Sequence, residues 1–136
     1  MTTPEELLER AADVATRAYV PYSSFRVGAA AVDSDGNVHT GANVENAAYP
    51  ATICAEANAV TTAAALGVRK IDAIAVVHLD GDLGDLCTPC GNCRQILKEF
   101  GVETVIMRNP DGSPHTVTLE QLLPMAFGPE AFDAER

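Results

Sequence analysis

The sequence predicts an α/β domain, a mixed sheet of about five strands with helices on its faces. Three observations carry that expectation. Hydrophobic residues make up 47% of the 136-residue chain, the share of a globular protein with one core. Apolar residues recur at helical spacing in some segments and form short, nearly continuous runs in others. In order, these segments alternate helix–strand–strand–helix–strand–helix–strand–strand, a pattern that folds as a sheet covered by helices. With four Phe, three Tyr and no Trp, alanine and valine must fill much of the interior, which favours close helix–sheet packing. No repeat, low-complexity tract or linker interrupts the chain, and a single domain over 1–136 is expected.

The first helix opens at "TPEE", with Thr3 as N-cap, Pro4 at the first helical position and Glu6 at the third. Leu7, Ala11, Val14, Ala15 and Ala18 follow as a core-facing stripe, and "VPYSS" ends the helix. "FRVGAAAVDSDGNVHTGANV" reads as a β-hairpin, two apolar runs around the Gly-containing loop "DSDGN". Thr52 to Leu66 reads as a second helix stopped by Gly67. "IDAIAVVHL" is a buried strand by its continuous apolar character. Gly91 to Phe100 forms a third helix, ended by Gly101. "VETVIM" is a strand, "NPDG" a turn and "PHTVTL" the last strand. Thr118 with "LEQLL" begins a short helix, beyond which the tail carries little pattern.

The formal net charge is −10 and the pI about 4.5. Such a surface repels a phosphate backbone, so no nucleic acid polymer is expected as a partner. The apolar runs are too short to span a bilayer, which argues against a membrane. "MTTPEELLER" lacks the basic and apolar regions of a signal peptide. A cytoplasmic location is therefore expected, where thiols stay reduced. Four cysteines then point to a metal more than to disulfides.

Those cysteines occupy two stretches, "ICAEANAV" with Cys54 and "CTPCGNCRQ" with Cys87, Cys90 and Cys93. Cys90 and Cys93, three apart at a helix start, share one face. In a full helix positions 54 and 56 would point to nearly opposite sides. If Cys54 and Glu56 serve one site, Cys54 must sit at the N-terminal entry of its helix. Two helix N-termini would then converge on the thiolates and stabilise their charge. Three cysteine ligands leave the fourth position on zinc open for water, and Glu56 beside it is a candidate proton shuttle. A closed four-cysteine structural site is the competing arrangement. Cys87, Cys90 and Cys93 are awkward as simultaneous ligands from one short turn, so Cys87 reads as a packing residue or a free thiol. His39, His78 and His115 read as ordinary surface or satisfied histidines.

"CAE" with "PCGNCRQ" resembles the zinc-dependent cytidine deaminases of the homotetrameric type. The resemblance extends through "YVPYSSFRVGAAAV", "TGANVENAAYP" and "LEQLLPMAFGPE", nearly the whole chain. It implies a cytidine-deaminase-like three-layer α/β/α fold and one Zn²⁺ per chain on Cys54, Cys90 and Cys93, with Glu56 as the shuttle. It further implies that Asn43 and Glu45 of "NVEN" hydrogen-bond the ribose 3′-hydroxyl and that Phe25 contacts the pyrimidine. Ala55 joins these substrate contacts. Phe127 reaches a neighbouring subunit's site, Tyr49 lies near a subunit interface, and Gln95 supports the ligands from behind. The implied reaction is hydrolytic deamination of free cytidine and deoxycytidine to uridine and deoxyuridine, with release of ammonia, in pyrimidine salvage.

Cys54 stands where nucleic-acid-editing deaminases carry histidine, in agreement with the acidic surface. Ala57 departs from the commoner family pattern, in which an arginine follows the glutamate and bonds the thiolates. Helix N-termini and Arg94 are expected to offset part of that charge. Two other readings compete. One is a deaminase of another cytosine nucleoside, such as blasticidin S. The other is a non-catalytic zinc protein, against which Glu56 argues, since structural zinc needs no adjacent acid.

Overall fold

Helix α1 (Pro4–Ala15) opens where Thr3 Oγ1 accepts the Glu6 N–H at 3.2 Å. It stops before Ala18. Thr16 and Arg17 turn their N–H groups to carbonyls three residues back, and Tyr19 N–H is drawn to Asn43 O at 3.0 Å. That cross-link pulls the chain out of the helix one turn earlier than the apolar stripe suggests. The computed structural model of the chain describes residues 2–82 and 86–132. The ends of the expected 1–136 domain, residue 1 and residues 133–136, lie outside them.

Strands β1 (Val27–Asp33) and β2 (Val38–Ala42) form the expected antiparallel hairpin. Asp33 closes its loop, accepting the N–H groups of Asp35 and Asn37 on Oδ1 and pairing with His39 Nε2 at 2.8 Å through Oδ2. Strands β3 (Ile71–His78), β4 (Thr104–Arg108) and β5 (Pro114–Thr118) complete a sheet of order β2-β1-β3-β4-β5. The β3–β4 pair is parallel and the others antiparallel, so the sheet is mixed as predicted.

The sheet is covered on both faces. On one, Leu7, Leu8 and Ala11 of α1 pack on Ala30, Ala75, Val77 and Ile106. On the other, helices α2 (Ala55–Ala65) and α3 (Gly91–Glu99) pack on Ala29, Ala31, Ile74 and Val105 through Ala59, Val60, Ala63 and Leu97. Ala29, Ala30 and Ala31 alternate between the two faces, as strand geometry requires. Small residues let the helices ride close. A Cβ on Gly28 would meet Ala11 O and lie 2.8 Å from Ala15 N, and one on Gly41 would meet the backbone of Asn58 and Ala59.

Helix α2 begins at Ala55, three residues later than the sequence pattern indicates. Ile53 instead bridges Val44 in both directions at 2.9 Å, which holds residues before the helix extended. Helix α4 (Leu119–Leu122) carries a full capping box between Thr118 and Gln121. No helix among the described residues is long and apolar enough to cross a membrane.

Candidate metal centre and active site

The late start of α2 makes Cys54 its N-cap, with extended backbone at φ −72° and ψ 154°. Cys90 is likewise the N-cap of α3, at φ −67° and ψ 168°. Neither uses its side chain to cap its helix, so both sulfurs are directed elsewhere. With Cys93 from the first turn of α3, the three Sγ atoms lie within 4.8 Å of one another. The extended backbone at Cys54 also resolves the conflict between positions 54 and 56, because helical geometry begins only at Ala55. Glu56 is 6% exposed, and its carboxyl meets the Cys93 side chain by a hydrogen bond.

The electrostatics follow from that crowding. The Cys54 thiol is drawn down to about 6, chiefly by the hydrogen bond from Cys93, with Cys90 adding to it against the opposing effect of burial. Cys93 is pushed upward for the complementary reason, as the donor to Cys54. Burial raises the Glu56 carboxyl to about 7, with the negative charge at Cys54 adding to the rise. Cys87 does not join the sulfur group among the described residues. Its thiol is pushed up to about 12, first by burial and then by the Glu56 charge. It stays protonated, as a packing thiol does.

The donor set fits zinc. Tetrahedral Zn–S bonds of about 2.3 Å place sulfurs about 3.8 Å apart, a separation that small side-chain adjustments reach from the observed cluster. Two helix N-termini stand behind the sulfurs and favour their negative charge. Arg94 stands beside Cys93 on the same helix. Its Nε donates to Pro89 O and its NH1 to Leu122 O, both at 2.7 Å. These two donors go to backbone carbonyls, one of them directly before Cys90, so the guanidinium bonds the loop that carries that sulfur.

A family model described as the cytidine and deoxycytidylate deaminase zinc-binding region matches residues 1–109. The chain belongs to that family. It is 42% identical over 128 residues to a cytidine deaminase of Sporosarcina psychrophila, covering 93% of this chain and 92% of the relative. It is 44% identical to a cytidine deaminase of Mycobacterium tuberculosis (strain ATCC 25618 / H37Rv), over 93% of this chain and 90% of that one. The crystal structure of cytidine deaminase from Burkholderia pseudomallei superposes with a TM-score of 0.83 at 42% identity, covering 93% of this chain and all of the other.

In this member of the cytidine and deoxycytidylate deaminase family, Glu45 is held by its neighbours. Oε1 accepts the N–H groups of Tyr22 and Ser23 at 3.0 and 3.1 Å, and Oε2 accepts the Ser23 hydroxyl. Its carboxyl is lowered, most of all by that hydroxyl. Asn43 is equally engaged: Nδ2 donates to Phe25 O and Oδ1 accepts Val27 N–H, each at 2.9 Å. Both side chains keep one further lone pair or N–H for a ligand. Glu45 and Tyr49 line a cleft of about 400 Å³ with Tyr22, Ser23, Asn46 and Thr52.

Tyr49 is 72% exposed and meets Tyr22 edge to face. Ala55 is fully buried in the core, so the structure does not present it to a substrate as the resemblance implies. Phe25 lies against His78 at the mouth of the hairpin. Phe127 is 63% exposed, and its carbonyl accepts from Gln95 Nε2 at 2.8 Å. Ser23 and Tyr22 escaped sequence reasoning because a backbone N–H and a small hydroxyl leave no spacing signal.

Proposed function

We propose that the protein is a zinc-dependent hydrolase that deaminates free cytidine and deoxycytidine to uridine and deoxyuridine, releasing ammonia. The observation that carries this reading is the convergence of three sulfurs from two helix starts beside one buried carboxylate. Family membership and the cytidine deaminases among its relatives support it. One zinc per chain would be held by Cys54, Cys90 and Cys93. When bound, zinc supplies Lewis acidity that makes a water at its open position a nucleophile near neutral pH.

The remaining work falls to the chain's own residues. Glu56 takes a proton from the attacking water and delivers it to N3 of the pyrimidine, which makes C4 electrophilic. The water oxygen adds to C4. Glu56 then takes the proton of the C4 hydroxyl and hands it to the exocyclic amine, and as that oxygen becomes the C4 carbonyl the C4–N bond breaks and ammonia leaves. Phe25 orients the pyrimidine, while Asn43 and Glu45 fix the sugar through its 3′-hydroxyl. Burial of Glu56 keeps its proton transfers out of bulk water.

In the same reading Phe127 and Tyr49 complete sites across the interfaces of a homotetramer, and the enzyme serves pyrimidine salvage in the cytoplasm. Their exposure, 63% and 72%, supports that assembly, since large aromatic rings left this open gain by packing on a second copy. The deciding experiment incubates zinc-loaded protein with cytidine, deoxycytidine and blasticidin S and measures ammonia. Turnover of the two nucleosides, lost in Glu56→Gln, is expected. Zinc-replete protein that turns over neither would refute the reading.

A further inference from the structure

The rear of Phe25 is closed by a second ring. His78, the last residue of β3, stacks on it with centroids 5.4 Å apart and planes inclined by 25°. His78 is buried. Its Nδ1 accepts the Gly81 N–H at 3.1 Å, which fixes both the tautomer at that nitrogen and the rotation of the ring. Glycine at 81 is required by this packing. A Cβ there would lie 2.7 Å from Cε1 and Nδ1 of His78 and 2.9 Å from Cε2 of Phe25.

The backbone beside Phe25 is tied to the same loop. Arg26 donates to Asp80 from its backbone N, from Nε and from NH2, at 2.8, 3.0 and 2.9 Å. Leu79 N–H returns to Arg26 O at 3.0 Å. On the opposite side Asn43 Nδ2 holds Phe25 O. Phe25 is thereby fixed through its backbone from two directions and through one ring face, while 38% of the residue stays exposed.

We infer that His78 is a positioning residue for the pyrimidine end of the substrate, setting the plane and reach of Phe25 without acting on the substrate itself. This rests on the reading of Phe25 as the pyrimidine contact. A half-exposed phenylalanine without a backing ring samples several rotamers, and ordering it on binding costs affinity. Stacking against a fixed imidazole removes that cost before the substrate arrives. Loss of the stack therefore falls on KM and leaves kcat in place, because the same ring contact serves ground state and transition state.

The test is steady-state kinetics of the zinc-loaded enzyme with cytidine. His78→Ala and the volume-keeping His78→Leu should each raise KM about five-fold, the order of one aromatic pair, with kcat nearly constant. His78→Phe, which keeps a stacked ring, should return KM to within about two-fold of the original. Gly81→Ala, which deletes no side chain but crowds both rings, should raise KM in the same way. In a Phe25→Ala background, His78→Leu should add almost nothing, because the two act as one unit. A KM rise in His78→Leu that persists undiminished without Phe25 overturns the inference. So does a His78→Leu enzyme with unchanged KM, which would leave His78 a core filler. Unchanged KM in Phe25→Ala alone removes the pyrimidine role of Phe25, and the inference with it.

Discussion

Arg94 and Pro89 are joined by a 2.7 Å hydrogen bond from Nε to the carbonyl that immediately precedes Cys90. The same guanidinium reaches Leu122 O at the end of α4. One planar side chain thus clamps the loop that presents a sulfur to the segment that leads into the tail. Neighbouring side chains on α3 extend the clamp: Gln95 holds Phe127 O at 2.8 Å, and Lys98 pairs with Glu130 at 3.0 Å.

From this clamp we expect Arg94→Ala to weaken zinc retention about ten-fold, the scale typical of residues that orient ligands from behind. Arg94→Lys should rescue little, because an ammonium cannot serve two carbonyls with a rigid fork. Competition against a graded chelator series measures this. Wild-type retention in Arg94→Ala would show the clamp irrelevant to the metal.

Glu56→Gln should keep its zinc and its fold while kcat drops by a factor of about 10² to 10⁴ or more, the range of a lost proton shuttle. Metal content by elemental analysis and single-turnover kinetics together check this. Zinc lost along with the carboxylate would instead make Glu56 a ligand.

The sugar end should discriminate by function-group pairing. Cytidine should exceed free cytosine in kcat/KM by at least about 100-fold, because Asn43 and Glu45 would be left with unmatched polar groups. Ser23→Ala, which deletes the hydroxyl that steadies Glu45, should raise KM for cytidine by a few-fold and leave the value for cytosine unchanged.

A pH effect on stability follows from Asp80. The hydrogen bonds from the Arg26 side chain and backbone hold its carboxyl at about 2, below the value of about 3.9 for an unfolded chain. A folded-state value that is lowered adds stability above pH ~4, and that stability is lost as the pH falls from about 4 toward 2. Melting curves of wild type and Asp80→Asn should therefore differ at pH 6 and converge near pH 2. A gap that is constant across that range would contradict the assignment.

Gly28→Ala should destabilise the fold by about 3 kcal/mol or more, because the added methyl meets backbone of α1 and not a movable side chain. Denaturant titration at constant slope reads this directly. Gly36→Ala, with open space around the site but φ +88°, should cost less, about 1 kcal/mol.

Much of the architecture is legible in the sequence because the relevant signals are local. Thr3–Glu6 and Thr118–Gln121 are capping patterns, "DSDGN" a hairpin loop, and the apolar runs around Ile74 and Val105 are strand cores. The Cys-x-x-Cys spacing and the need for Cys54 at a helix entry are likewise readable from helical geometry. What escapes is long-range. Helix α1 ends early because Tyr19 bonds Asn43, and α2 starts late because Ile53 bridges Val44. The stack of His78 on Phe25 and the capture of Arg94 by Pro89 and Leu122 join residues far apart in the chain, and no periodicity encodes them.

The near-contact of Gly41 with Asn58 and Ala59 has a metrical consequence. Asn58 Nδ2 also donates to Ala42 O at 2.9 Å, so α2 and β2 are held by a close backbone approach and by one side-chain amide. Glu56 belongs to that helix, and Asn43 follows directly on that strand. The interval between Glu56 and Asn43 is therefore gauged by that close approach. Exchange of side chains can alter what is gripped at either end, but the length of molecule that spans both is cut to a fixed measure.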